Sequence, residues 1–254
     1  MSEELKNTTV LVTRPAHQAE NFIDLVEEAG GRVIRFPVIA IEPRELTGAD
    51  EHVLQQSSDC LIFISANAVS LGVREINRVA PGKLASTRIM AIGQATAQAL
   101  LDHGLTPALV PPSPYNSEAL LAMPEMRDIE GRRYTVIKGK GGREYLHEQL
   151  QARGAIVSCI DIYERAKPAQ SNEPLQQLTL YDHVVIAVTS VKGLHNLFDM
   201  ATAEQSTWMK QHASFLVPGS RVADAVRDLH IKRPPVVAEN ATDRVMFKRL
   251  LDSA

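Results

Sequence analysis

Apolar residues along the chain gather in short runs, and between the runs they recur at helical spacing. Val10-Leu11-Val12, Leu61-Ile62-Phe63-Ile64, Met90-Ala91-Ile92, Val184-Val185-Ile186-Ala187-Val188 and Phe215-Leu216-Val217 have the length of strands and little polar alternation, as expected for strands covered on both faces. After them come Phe22, Leu25, Val26 and Ala29, then Val69, Val73 and Ile76, then Ala97, Leu100 and Leu101, and finally Val222, Val226 and Leu229. Each set forms one helical face that would pack on a sheet. The alternation predicts an α/β fold of ten strands in parallel sheets flanked by helices, each helix following a strand.

One strand–turn–helix–strand unit is written twice. The first copy runs from Val10-Leu11-Val12-Thr13-Arg14-Pro15 through an amphipathic stretch to Gly30-Gly31 and Val33-Ile34. The second runs from Tyr134-Thr135-Val136-Ile137-Lys138-Gly139 to Gly154 and Ala155-Ile156-Val157. Asp59–Ser65 echoes Asp182–Ser190, and Met90–Gln94 echoes Phe215–Ser220. A duplicated unit predicts two similar domains facing a cleft, and 254 residues suit two domains of ~100–150 residues each. Phe36–Pro43 and Ile160–Pro168 are extended and bounded by proline, as connectors between domains would be. Val110–Asn116 reads as a stiff loop, with a helix starting at Asn116-Ser117-Glu118.

Composition narrows the class. With 44% hydrophobic residues, each half can form its own core. The net charge of −3 is spread without a basic face, which argues against nucleic acid as a partner. Cys60 and Cys159 each lie in an apolar run, where small buried thiols belong, so no disulfide framework is expected. The opening Met1-Ser2-Glu3-Glu4 is acidic and polar, unlike a signal peptide, and the apolar runs fall short of the ~20 residues that span a bilayer. These features predict a soluble cytoplasmic protein without a membrane partner.

Ligands of open parallel sheets bind outside the carboxyl ends of the strands. Small polar residues recur there: Thr13, Ser65, Asn67, Gln94, Thr96, Ser117, Thr189, Ser190 and Ser220, then Asn240 and Thr242. Any one of them could simply cap a helix. Together they form a surface of hydroxyls and N–H groups suited to carboxylates or phosphates. Lys138-Gly139-Lys140-Gly141-Gly142-Arg143-Glu144 is either an anion-binding turn or a flexible basic one; its glycine spacing matches neither G-x-G-x-x-G nor a Walker A loop. Arg14 suits a carboxylate, or is a surface arginine before a helix-starting proline. Tyr163 lies in the return connector rather than a core pattern, where its phenol could donate to a leaving oxygen or pack between domains. The eight histidines lack metal-ligand spacing, and no G-x-S-x-G elbow occurs. An enzyme built from these parts would work without a metal, nucleophile triad or bound cofactor.

Across nearly its whole length the chain resembles uroporphyrinogen-III synthases. The residues that carry the resemblance are Thr13-Arg14-Pro15 with Gln18-Ala19, Gly30-Gly31, Phe36-Pro37, Phe63–Val69, Ile92–Thr96, Gly139–Glu144, Tyr163-Glu164-Arg165 and Val188-Thr189-Ser190. Each motif is weak alone, and their order and spacing are specific. Lys138 departs from the arginine usual before the glycine turn; it keeps the charge and loses the bidentate fork.

The resemblance implies a discontinuous first domain, 1–37 with 168–254, and an inserted second domain, 38–167. Each would hold a five-stranded parallel sheet, and the connectors would form a two-stranded linker. It also implies a monomeric, cofactor-independent lyase of haem biosynthesis. Such an enzyme cyclises linear hydroxymethylbilane to uroporphyrinogen III, losing water and inverting ring D through a spiro intermediate. Tyr163 would be catalytic. Substrate would be held by Thr13, Arg14, Ser65, Asn67, Gln94, Thr96, Lys138, Gly139, Thr189, Ser190 and Ser220. The preceding pathway enzyme would be a transient partner. A two-domain glycosyltransferase would share the architecture and an anion-binding turn but would usually need a longer chain and acidic or basic residues placed for a nucleotide sugar, which the sequence does not show. A non-enzymatic tetrapyrrole or anion sensor would leave Tyr163 and the strand-end hydroxyls without a catalytic reason to converge.

Overall fold

The computed structural model describes residues 4–141 and 144–253. The chain divides into two compact units, Met1–Ala40 with Ala166–Ala254, and Ile41–Arg165. In chain order the strands are β1 (Thr8–Val12), β2 (Arg32–Arg35), β3 (Ala40–Pro43), β4 (Cys60–Phe63), β5 (Arg88–Ala91), β6 (Arg133–Gly139), β7 (Ile156–Ala166), β8 (His183–Ala187), β9 (Ser214–Pro218) and β10 (Val236–Ala238).

The first unit holds one sheet, ordered β10-β9-β8-β1-β2, with every pairing parallel. Alternate residues of its strands feed two separate cores. Leu11, Ile186, Phe215 and Val217 pack on one face, and Val10, Val12, Val185, Ala187 and Leu216 on the other. Burial on both faces is why these strands read as continuous apolar runs.

The second unit repeats the plan with its chain order permuted. Its sheet runs β3-β7-β6-β4-β5. β6 and β7 take the places of β1 and β2, and β4 and β5 those of β8 and β9. The parallel bridge Met90↔Leu109 stands where β10 stands in the first unit. β7-β6-β4-β5 are mutually parallel, so edge strand β3 makes this sheet mixed rather than wholly parallel. Leu61, Phe63 and Ile137 point into one core, Ile62, Tyr134 and Val136 into the other.

Some details differ from the expectation. Two helices follow β4 (Ala66–Val79 and Lys83–Ser86) and two follow β8 (Val191–Met200 and Ala203–His212), so helices and strands do not strictly alternate. Leu101 is 49% exposed rather than core, because the helix Gln94–Asp102 turns only Leu100 fully inward at that end. Cys60 is buried, and burial pushes its thiol up to about 12; Cys159 is only half-buried. No described helix is long and apolar enough to cross a membrane.

Lys83 is a buried cation with a structural task. Its Nζ donates to the carbonyls of Leu54 (2.7 Å) and Gln56 (2.5 Å), which close the helix Gly48–Gln55. A cation there meets both the orphan carbonyls and the negative end of the helix dipole. Burial lowers the Lys83 pKa without removing this charge-assisted capping. Lys83→Met should therefore destabilise the protein by about 2 kcal/mol, the scale of a hydrogen bond to a charged group, measured by urea unfolding; an unchanged midpoint would refute the capping role.

Candidate functional site

In each sheet the chain leaves two neighbouring strands toward opposite sides, β1 and β8 in one and β6 and β4 in the other. Such switch points open a crevice at the carboxyl ends of the strands. The sequence-predicted residues sort onto these two edges, and the second unit holds the denser set.

There the β6–β7 register runs in step up to Lys138↔Asp161 and then shifts, so that Gly139 faces Tyr163. This irregularity lays the Tyr163 ring across the backbone of Gly139. A Cβ on Gly139 would sit 2.5 Å from Tyr163 Cε2 and 2.9 Å from its phenolic oxygen. Only glycine leaves room for the ring. Tyr163 is 1% exposed and belongs to the core of this unit, against the expectation of a connector residue outside the core pattern. Its hydroxyl is not sealed in hydrocarbon: Ser65 Oγ lies 3.1 Å away, and Arg165 Nη2 donates to it at 3.4 Å. Ser65 also caps the helix Ala66–Val79 by accepting from Ala68 N–H. The Lys140 N–H donates to the Tyr163 carbonyl at 2.7 Å and pins the backbone of the pair.

Lys138 lies one residue before this contact, 9% exposed. Its Nζ donates to Glu144 Oε1 at 2.9 Å and is 3.8 Å from Asp161 Oδ1. Burial works against its charge, but the Glu144 hydrogen bond and the charges of Asp161 and Glu144 win, raising its pKa. The same hydrogen bond and charge hold Glu144 below the ordinary carboxylate value of 4.5. Lys138, Glu144 and His147 line a cavity of about 260 Å³ with Ile64, Ile92, Asn116, Ser117, Glu118, Val136, Leu146 and Cys159. Asn116 caps the short helix Ser117–Ala122, as its sequence signals.

Elsewhere in this unit Thr96 is buried, Asn67 lies half-buried in the first turn of the helix Ala66–Val79, and exposed Gln94 donates to the Tyr115 hydroxyl at 2.5 Å. Gly142 and Arg143 of the basic turn lie outside the described residues.

In the first unit the strand-end polar groups are largely committed to the fold. Thr13 Oγ1 donates to the Ala187 carbonyl at 2.8 Å, tying β1 to β8. Arg14 pairs with Asp243, donates to the Ala241 carbonyl at 2.7 Å and stacks over Phe22. It is therefore held at the start of the helix Asp243–Leu251, not presented freely. Ser190 caps the helix Val191–Met200, Thr189 is half-buried beside it, and Ser220 is exposed at the start of Gly219–Asp228. The capping alternative thus holds for Ser65 and Ser190.

Sequence reasoning passed over Asp161, whose Oδ1 is buried without a hydrogen bond while Oδ2 lies 3.5 Å from Arg44 Nη1. An acid inside the apolar run Ile160–Ile162 was the available signal. No group of three metal-ligating side chains occurs among the described residues.

Known proteins supply the context. A family model described as Uroporphyrinogen-III synthase HemD matches residues 20–248. The chain is 31% identical over 252 residues to the uroporphyrinogen-III synthase of Salmonella typhimurium, covering 95% of this chain and 99% of that one. It is 29% identical over 248 residues to the uroporphyrinogen-III synthase of Escherichia coli, with the same two coverages. Among solved structures, uroporphyrinogen-III synthetase from Helicobacter pylori matches with a TM-score of 0.66 at 14% identity, over 97% of this chain and 100% of that one. A mutant uroporphyrinogen III synthase from Thermus thermophilus gives 0.59 at 23% identity with the same coverages. At such identities these two structures speak for the fold alone.

Two outcomes follow from the geometry. Gly139→Ala should expel or tilt the Tyr163 ring and destabilise the protein by about 1–3 kcal/mol, as overpacking does; unaltered near-ultraviolet dichroism and melting would contradict the contact. Glu144 should titrate below 4.5 in the folded protein. A depressed carboxyl pKa stabilises the folded state above the unfolded value, and that contribution fades as pH falls through the folded value. Lys138→Gln should move the Glu144 midpoint, followed by carboxyl NMR, back up toward 4.5; no movement would break the assigned pair.

Proposed function

The chain belongs to the uroporphyrinogen-III synthase family, and we propose that it converts linear hydroxymethylbilane to uroporphyrinogen III with release of one water. The observation that carries the reading at the level of residues is the Tyr163 phenol, seated on Gly139 at the carboxyl end of β6 with two polar neighbours on its oxygen. The C–O bond of the ring-A hydroxymethyl group breaks, and Tyr163 delivers a proton to the departing hydroxyl. The resulting azafulvenium cation is attacked through the substituted position of ring D. The spiro intermediate fragments and recloses with ring D inverted, and the proton released on aromatisation returns to the phenolate. Arg165, the longer of the two contacts at 3.4 Å, is the neighbour that substrate displaces to reach the phenol.

The linear substrate can cyclise unaided to the uninverted isomer, so much of the enzyme's task is to fold it, a positioning role. A protein of net charge −3 does not attract eight substrate carboxylates through its global field. Hydroxyls, backbone N–H groups and the Lys138 cation at the strand ends do that work: Thr13, Thr189, Ser190 and Ser220 in one unit, and Ser65, Asn67, Gln94, Thr96, Lys138 and Gly139 in the other, while Arg14 stays locked on Asp243 and shapes its own strand end. The reaction is a cyclising dehydration needing no cofactor, hence a lyase. The protein acts as a cytoplasmic monomer that meets the preceding pathway enzyme only in passing.

Incubation with freshly generated hydroxymethylbilane and separation of the isomers tests the reading. The type III product is expected; type I at the uncatalysed rate would refute it. Tyr163→Phe should lower kcat about tenfold to a hundredfold without abolishing turnover, because general acid assistance contributes ~10²–10⁴ and the substrate ionises in part by itself. An unchanged kcat would remove Tyr163 from the mechanism.

A further inference from the structure

Buried ammonium groups ordinarily satisfy several of their three N–H donors. Among the described residues Lys138 Nζ has one hydrogen-bonded acceptor, Glu144, while Asp161 at 3.8 Å stands beyond hydrogen-bond reach. The two side chains of the pair differ sharply in environment. That of Lys138 is 11% exposed and that of Glu144 is 50% exposed, so the acid can swing into solvent while the cation stays. Glu144 immediately precedes the helix Tyr145–Ala152, and three residues earlier Gly141 takes φ 72°. The cavity they share, about 260 Å³, is smaller than the ~300–1,000 Å³ that holds a whole drug-sized ligand. It suits one arm of a larger molecule. Asn116 and Ser117, at the start of the helix Ser117–Ala122, also line it.

We propose that Lys138 is a carboxylate subsite which Glu144 occupies in the free protein, and that an acetate or propionate arm of the substrate enters the cavity by displacing Glu144. The inference rests on the function proposed above for the identity of the arm, though not for the exchange itself. Charge favours exchange over addition. Glu118 and Glu144 line the cavity with Lys138 and His147, and Asp161 stands 3.8 Å from the ammonium, so a further anion would enter an acidic surrounding, whereas a swap keeps the balance unchanged. Glu144 then sets affinity and selectivity, since an arm must outcompete a tethered carboxylate already 2.9 Å from the ammonium.

Acetate itself is the probe. In full-length protein carrying labelled lysine, acetate should shift the Lys138 side-chain NMR signals. Glu144→Gln should lower the acetate concentration needed by about fivefold, the yield of a partly exposed ion pair. With hydroxymethylbilane, Glu144→Gln should lower KM by a similar factor. Lys138→Gln should raise KM, and adding Glu144→Gln to Lys138→Gln should change nothing further. Equal acetate sensitivity in the wild type and Glu144→Gln, or a KM that rises in Glu144→Gln, would overturn the subsite. Acetate exchange at Lys138 in a protein that makes no type III product would uphold the exchange and overturn the functional reading instead.

Discussion

Parallel pairing of β1 with β8 and of β6 with β4 is the constraint on which the rest depends. Parallel neighbours cannot be joined by a hairpin, so the chain must cross back over the sheet each time. Every crossover returns the carboxyl ends of the strands to one edge, where Gly139 closes a strand and Thr13, Ser65 and Thr189 follow one within two residues. The permuted order of the second unit leaves this untouched, because adjacency in the sheet, not order in the chain, decides which ends meet. Two units with different connectivity thus arrive at the same kind of edge.

What distinguishes the second edge is a single absent methyl group. A tyrosine ring needs a flat, close floor, and the Gly139 backbone supplies it where the β6–β7 register slips. Burying the ring fixes the phenol without relying on a flexible side chain. Ser65 and Arg165 meet the polar end, avoiding the cost of an unpaired buried hydroxyl. Packing and chemistry make opposite demands on a tyrosine, and this arrangement meets both, with the ring in the core and the oxygen among polar groups.

Most of the fold was legible because buried parallel strands write continuous apolar runs and the duplication writes them twice. Val10–Val12 and Val184–Val188 could hardly be read otherwise. β3 was legible only as an extended connector, since a short edge strand carries little apolar signal, and its place beside β7 depends on tertiary pairing. Leu101 was misread because helical spacing says that a residue shares a face, not how far the sheet beneath it extends. At the site, the positions of Thr13, Ser65 and Ser190 were readable as strand ends, but their partners were not. Arg14 meets Asp243 across 229 positions, and Tyr163 turns inward through a register shift that no residue pattern announces.

Pairing of the few cations follows from the same physics. Arg14 and Lys138 sit at strand ends where neighbouring backbone and side chains exclude water, and an uncompensated charge there would cost several kcal/mol. Asp243 and Glu144 supply the compensation in the free protein. The two locks are not equivalent. Asp243 is itself mostly buried and also accepts from Asn21, so Arg14 is held from several directions. Glu144 is half in water and stands just before the helix Tyr145–Ala152. Water screens and solvates the Glu144 carboxylate when it leaves, which makes that pair exchangeable and the Arg14 pair structural. Burial of the acid, rather than of the cation, separates a site that can change partners from one that cannot.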